Sequence, residues 1–192
     1  MGNFNPSRNI ISGVQTISSF TPTASGAGWT NASTNNPTLL VSKLNHEIVT
    51  RVLIDITGIA SINATDKVLG HGTTADASIT KLTAAVNGYV TGMEVSCIET
   101  PNKASGTIQE DIDFYLHTSA LASGAAAAGT NAVESDADWE AGATGESENL
   151  PTAGSAIGTT DYYLHLVTGA GSGGTGTYTA GKFVVTFIGH NF

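Results

Sequence analysis

Two five-residue stretches hold the densest chemistry in this chain. Asp113-Phe114-Tyr115-Leu116-His117 and Asp161-Tyr162-Tyr163-Leu164-His165 repeat one pattern of apolar and polar positions, forty-eight residues apart. If they are neighbouring strands, the imidazoles of His117 and His165 come close enough to share a metal or to meet another subunit. A metal site needs more convergent ligands than these two, so no metal and no cofactor is assigned. Tyr115, His117, Tyr163 and His165 are taken as contact residues on a polar strand face, where exposed aromatic-polar strips suit protein interfaces. Ordinary cross-strand packing accounts for the same pattern.

Other chemistries fail on spacing. Glu134, Asp136, Asp138 and Glu140 alternate and would offer hard oxygens to calcium, but an EF-hand loop opening at Asp136 needs Gly and Glu where Ala141 and Ser147 stand. Solvated charge is the reading. Gly169-Ala170-Gly171-Ser172-Gly173-Gly174 spells a dinucleotide fingerprint, yet a strand pattern follows it where the pyrophosphate would need a helix N-terminus. Cys97 shares a strand face with Tyr89, Met93 and Val95, which turns it inward, and Ser155 is misplaced for a nucleophile elbow. Glu110 and Asp113 could pair as glycosidase carboxylates, but no aromatic-lined cleft accompanies them, and Trp29 and Trp139 fall outside the expected strands. The chain is read as non-enzymatic.

The elements that must position these residues are strands. In Ile48 to Thr57 the even positions Ile48, Thr50, Val52, Ile54 and Ile56 form one face, with Val49, Arg51, Leu53 and Asp55 on the other. Tyr89 to Ile98 and Ile108 to His117 alternate similarly. Further strands are expected at Ile10 to Phe20, Thr38 to Lys43, Lys67 to Leu69, Ala77 to Thr83, Asp161 to Thr168 and Tyr178 to Ile188. The last is apolar on both faces, as in a central strand or one beneath a subunit contact. Gly and Thr interrupt every candidate helix. The fold class is all-β, an antiparallel β-sandwich of about eight strands, with a jelly roll as the expected form.

Composition fits this. Gly, Ala, Ser and Thr supply 91 of the 192 residues, and charged residues only 12%. The single Cys excludes an intrachain disulfide. Seven Lys and Arg against sixteen Asp and Glu give a net charge of −9, which argues against a nucleic-acid surface. Residues 1–103 are balanced in charge, and the excess lies beyond them, mostly in a Gly/Ala-rich acidic stretch at 119–160. That stretch lacks a strand or helix period and is expected to be a long surface loop inserted in a domain spanning 38–192, with a short helix possible around Val133 to Glu140. Residues 1–37 are expected to form an extended N-terminal arm, whose Phe4, Ile10, Ile11 and Phe20 are candidate contacts to a neighbour. No apolar run is long enough to span a membrane. Met1 to Pro6 lacks the basic start of a signal peptide, so cytoplasmic synthesis is expected and Asn31 and Asn63 should stay unglycosylated.

One resemblance follows from the C-terminal half. Tyr162-Tyr163-Leu164-His165-Leu166-Val167-Thr168, a Gly/Thr hairpin and then Thr179-Ala180-Gly181-Lys182-Phe183-Val184-Val185-Thr186-Phe187, in an acidic Ala/Gly/Thr-rich setting, resemble virion structural proteins of tailed bacteriophages over residues 89–192. The pattern is closer to sandwich-type capsid decoration or cement proteins and small head or tail knobs than to the major shell protein, whose long spine helix is missing. The resemblance implies a homotrimer on the outer capsid surface, bound to the major capsid protein or other virion proteins. It implies no enzymatic role, no direct nucleic-acid contact and no membrane contact, and it carries over no site residues. The alternative is a jelly-roll module binding carbohydrate or a host surface at a fibre or knob tip. Such a module would use Trp29, Trp139, Tyr115 or Tyr163 as an aromatic platform.

Overall fold

A computed structural model describes residues 16–18, 26–30, 36–61, 64, 66–71, 76–103, 111–127, 132–134, 139–147, 159–169 and 176–191. Its strands are β1 (Thr16–Ser18), β2 (Thr38–Leu44), β3 (Glu47–Asp55), β4 (Ala60–Ser61), β5 (Thr80–Leu82), β6 (Tyr89–Lys103), β7 (Ile112–His117), β8 (Ala132–Glu134), β9 (Thr144–Ser147), β10 (Tyr162–Thr168) and β11 (Gly176–His190). Single helical turns, α1 (Ala27–Thr30) and α2 (Ala84–Asn87), complete the described elements. None of the helices is long and apolar enough to cross a membrane.

Period-two patterning makes the strands half-apolar, and two antiparallel sheets bury their apolar faces against each other as a β-sandwich of about eight strands, with short strands at the margins. The larger sheet runs β1-β2-β3-β11-β6-β9, with β4 beside the start of β11; the smaller runs β5-β10-β7-β8. In β3 the even residues Ile48, Thr50, Val52 and Ile54 are buried while Glu47, Arg51 and Leu53 are exposed, as the alternation requires. From β11 come Phe183, Val185 and Phe187, which meet Ile112, Phe114 and Leu116 of β7 and Leu164 and Leu166 of β10 in one core. Each such side chain contributes roughly 1.5–3 kcal/mol on burial.

The core centres on an aromatic triad. Phe114 of the smaller sheet and Phe183 of the larger meet edge to face, ring centres 5.4 Å apart. Trp139 closes the triangle at 5.7 Å from each ring. Its Nε1–H donates to the Ile112 carbonyl at 2.7 Å. The described residues of 119–160 are therefore not all surface loop, as that stretch was expected to be. Trp139 is fully buried, β8 pairs with β7 where a short helix was possible, and β9 pairs with β6. These strands are too short to show a period, and backbone pairing with β6 and β7 defines them.

Two of the four register shifts between β11 and β6 each leave one extra residue in β6. Gly189 pairs with Val90 but Ile188 with Gly92, so Thr91 is an extra residue. Because side chains alternate with a period of two, one inserted residue flips everything before it. Val90 therefore points inward with Met93, Val95 and Cys97, while Tyr89, expected on that face, is 38% exposed. The second irregularity lies between the pairs Phe183–Cys97 and Lys182–Glu99 and leaves Ile98 extra and 55% exposed. Gly181, beside Pro101 at the next register shift, has φ +132°, and a Cβ there would lie 2.6 Å from Ile56 Cδ1. Only Gly fits.

The described part of 1–37 belongs to the sandwich. β1 pairs with β2, and Trp29 is buried in the main core. Gly26 N–H donates to Ser78 O at 2.9 Å and Gly28 N–H to Asp76 O at 2.6 Å. Phe4, Ile10, Ile11 and Phe20 lie outside the described residues.

Candidate functional site

The paired stretches are indeed adjacent strands. β7 and β10 run antiparallel with Tyr163 opposite His117 and His165 opposite Tyr115. All four side chains share the sheet face turned away from the core, but that face is covered. Segment 66–70 pairs along the edge of β10, with Leu69 N–H to Leu166 O at 2.8 Å and Thr168 N–H to Lys67 O at 2.9 Å. Segment 121–127 folds over the face from it, joined by Val68 N–H to Ala125 O at 3.0 Å, Gly124 N–H to Val68 O at 2.9 Å and Ala127 N–H to Asp66 O at 2.8 Å. Val68, Ala77, Tyr115, Ala127 and Val167 form a second, smaller core beneath them. Tyr115 and His165, expected as exposed contacts, are therefore interior. The small residues of 121–127 allow the backbone to lie flat on the sheet, a feature that composition alone presents as a loop.

His165 is held by backbone on both ring nitrogens. Nδ1–H donates to the Tyr163 carbonyl at 3.1 Å, and Nε2 accepts from the Leu121 N–H at 3.1 Å. The neutral Nδ1–H tautomer satisfies both. Burial pushes its pKa down to about 4, Asp76 opposing the shift and His117 adding slightly to it. His117 is half-buried, its Nδ1 3.0 Å from both the N–H and the carbonyl of Ser119, and its ring stacks on Tyr115 at 6.0 Å. Tyr163 is half-buried under Lys81, whose Nζ lies 5.5 Å from the ring centre and 2.6 Å from Asp161.

Neither imidazole joins a metal cluster: among the described residues no group of three His, Cys, Asp or Glu could hold an ion. Cys97 is buried and its thiol pKa is pushed up to about 11 by desolvation, so it is a poor nucleophile at neutral pH. The glycine run after β10 leads into β11, not into a helix. Asp136, Asp138 and Glu110 lie outside the described residues. Trp29 and Trp139 are interior, so together with Tyr115 they cannot form an aromatic platform.

The surface that stands out lies on the opposite side, on the outer face of the larger sheet. Leu53 pairs across the ladder with Val184, and Val49 with Ile188. Leu53 and Ile188 are exposed, and Leu44, Tyr89 and Ile98 are exposed around them. Leu53 and the bulged Ile98 line a groove of about 250 Å³, with Thr38 and Asp55 beside them and Lys182 paired to Glu99 at 2.6 Å. A sheet face turned to water ordinarily alternates to polar residues. The sequence signal was available in Val184 and Ile188, which make β11 apolar on both faces, and in Leu53. Ile98 continues the outward alternation of Glu94 and Ser96, whereas Tyr89 was not legible there, because a bulge places it.

Comparison with protein-family models, curated proteins and solved structures matches none of them to this chain.

Proposed function

We propose that this chain is a non-enzymatic structural protein of a bacteriophage virion, a jelly roll that decorates or cements the outer capsid surface through symmetric subunit contacts. The observation that carries the reading is the outer face of the larger sheet, where Leu53, Ile98, Val184 and Ile188 present apolar surface from adjacent strands. Contiguous apolar surface rimmed by polar residues is the mark of a protein contact. Strand order supports the jelly roll: β3, β6, β9 and β11 fall in one sheet, β5, β7, β8 and β10 in the other, and the last two strands each insert between earlier ones. Viral capsid and lectin domains share that architecture.

A homotrimer on the shell would repeat one modest contact many times, and the summed effect is strong. Major capsid protein or other virion proteins are the partners, the acidic C-terminal half disfavours nucleic acid, and synthesis is cytoplasmic. Tyr163, His117 and the arm residues Phe4, Ile10, Ile11 and Phe20 remain contact candidates in this reading. The test is gradient sedimentation of the source lysate with mass spectrometry. Co-sedimentation with a nuclease-resistant, DNA-containing particle at fixed stoichiometry is expected, and Leu53→Glu with Ile188→Glu should abolish it without lowering the melting temperature. Recovery of the native chain only as a small soluble species refutes the proposal.

A further inference from the structure

His165 and the segment it holds have a use that packing alone does not require. A core position between Leu164 and Leu166 could be filled by an apolar side chain. Instead an imidazole reaches through the sheet's covered face to accept the Leu121 N–H. The carbonyl of the same Leu121 accepts from Ala77 N–H at 2.8 Å, so residue 121 is where the covering segment is fastened to both β10 and the start of the β5 region.

The two histidines differ in what a proton does. His117 Nδ1 sits at 3.0 Å from both the N–H and the carbonyl of Ser119, so the neutral ring can accept and the protonated ring can donate. His165 has no such choice. A proton on Nε2 would face the Leu121 N–H, turning an acceptor into a second donor, with the ring fully enclosed.

We propose that His165 is an acid-sensitive latch: neutral, it fastens segment 119–127 over β7 and β10, and on protonation it lets that segment lift and bare the apolar surface of Tyr115, Val68 and Val167. Burial is the main reason the proton is resisted, as the depressed titration of His165 requires. Among the charged groups around it, Asp76 favours the proton and His117 opposes it. β7 also brings Tyr115 and Asp113, β5 brings Lys81 engaged with Asp161, and segment 66–70 brings Asp66 and Lys67. Segment 119–127 carries no titratable side chain of its own.

The experiment is native-state hydrogen exchange on the intact chain, with protection factors corrected for intrinsic rates, at sub-denaturing urea. If the lifted form titrates near 6.5 and the closed form near 4, the opening equilibrium rises about 50-fold between roughly pH 7 and pH 4.5. The amides of Leu121, Gly124, Ala125 and Ala127 should show that loss of protection through an opening almost independent of urea, while β3 and β11 remain far better protected and exchange only through urea-dependent unfolding. His165→Gln, which keeps an acceptor but cannot titrate, should abolish the pH dependence, and His117→Gln should leave it in place. If His165→Gln does not fold, ¹⁵N titration of the wild-type imidazole serves instead: the Nδ1–H tautomer should convert in step with the Leu121 amide. The proposal is overturned if protection of 121–127 is the same at both pH values, if those amides open only with β3 and β11, or if His117→Gln removes the effect.

Discussion

Replacing Trp139 by Ala tests whether the acidic stretch is built into the sandwich. The indole is fully buried, lies 5.7 Å edge-on to both Phe114 and Phe183, and donates at 2.7 Å to the Ile112 carbonyl. Truncating a core Trp to Ala costs about 3–5 kcal/mol, a range that already includes the cavity left behind. Loss of two edge-to-face contacts, each worth about 0.5–1.5 kcal/mol, places this site toward the top of that range. The expected loss is about 4–5 kcal/mol. Trp139→Phe keeps most of the apolar contact but not the hydrogen bond, and should cost about 2 kcal/mol, near the middle of the roughly 1–3 kcal/mol for stranding a buried acceptor. Against a typical total of about 5–15 kcal/mol, the Ala variant would lose from roughly a third to nearly all of its stability. Urea unfolding followed by circular dichroism reads this as a lower midpoint at unchanged slope, and calorimetry as a melting temperature lower by about 10–15 °C. A cost below about 1 kcal/mol for Trp139→Ala would refute the reasoning, because Trp139 would then not tie the β8–β9 connection to the core.

Three further outcomes are expected. His165 is neutral when folded, with a pKa of about 4 against an ordinary value of 6.5, so its contribution is complete above about pH 6.5 and declines as pH falls toward 4. The full effect is about 3 kcal/mol, and it is read as the difference in urea stability between wild type and His165→Gln across that range. Gly181→Ala forces a Cβ against Ile56 in a backbone conformation that L residues avoid and should cost about 1–3 kcal/mol, measured by thermal melting. Asn87 is buried, accepting from the Thr83 N–H at 2.8 Å and donating to Thr50 Oγ1 at 3.0 Å. Asn87→Ala should lower stability by about 2 kcal/mol in the same urea assay, since it leaves the buried Thr50 hydroxyl and the half-buried Thr83 N–H without their partner.

What the sequence made legible was whatever alternation could encode. The even residues of β3 face the core as expected, β11 is central, and the two Asp-to-His stretches are adjacent strands, offset by two residues. Features decided by long-range contact were hidden. β8 and β9 are too short to carry a period, and Trp139 gave no sign that it enters the core from between them. The single inserted residue Thr91 inverts the facing of Tyr89, and no local propensity announces a bulge there. The polar look of Tyr115 and His165 was correct for their sheet face, but the Ala/Gly/Ser segment that covers it reads as mere linker. The outer-face patch was largely visible, in Leu53, Ile98, Val184 and Ile188, and incomplete without Tyr89.

The placement of β11 between β3 and β6, and of β10 between β5 and β7, sets an order of events during synthesis. With translation adding about 5–20 residues each second, β3 and β6 emerge well before the strand that must join them. Until residues 176–190 leave the ribosome, the larger sheet is two separate ribbons, each with an open inner edge. Neither half can commit early. Folding must wait for the last strands and then close contacts more than a hundred residues apart, such as Val185 with Val52. The slow collapse typical of non-local β topologies follows, along with an interval in which chaperone capture competes with misassembly between neighbouring nascent chains.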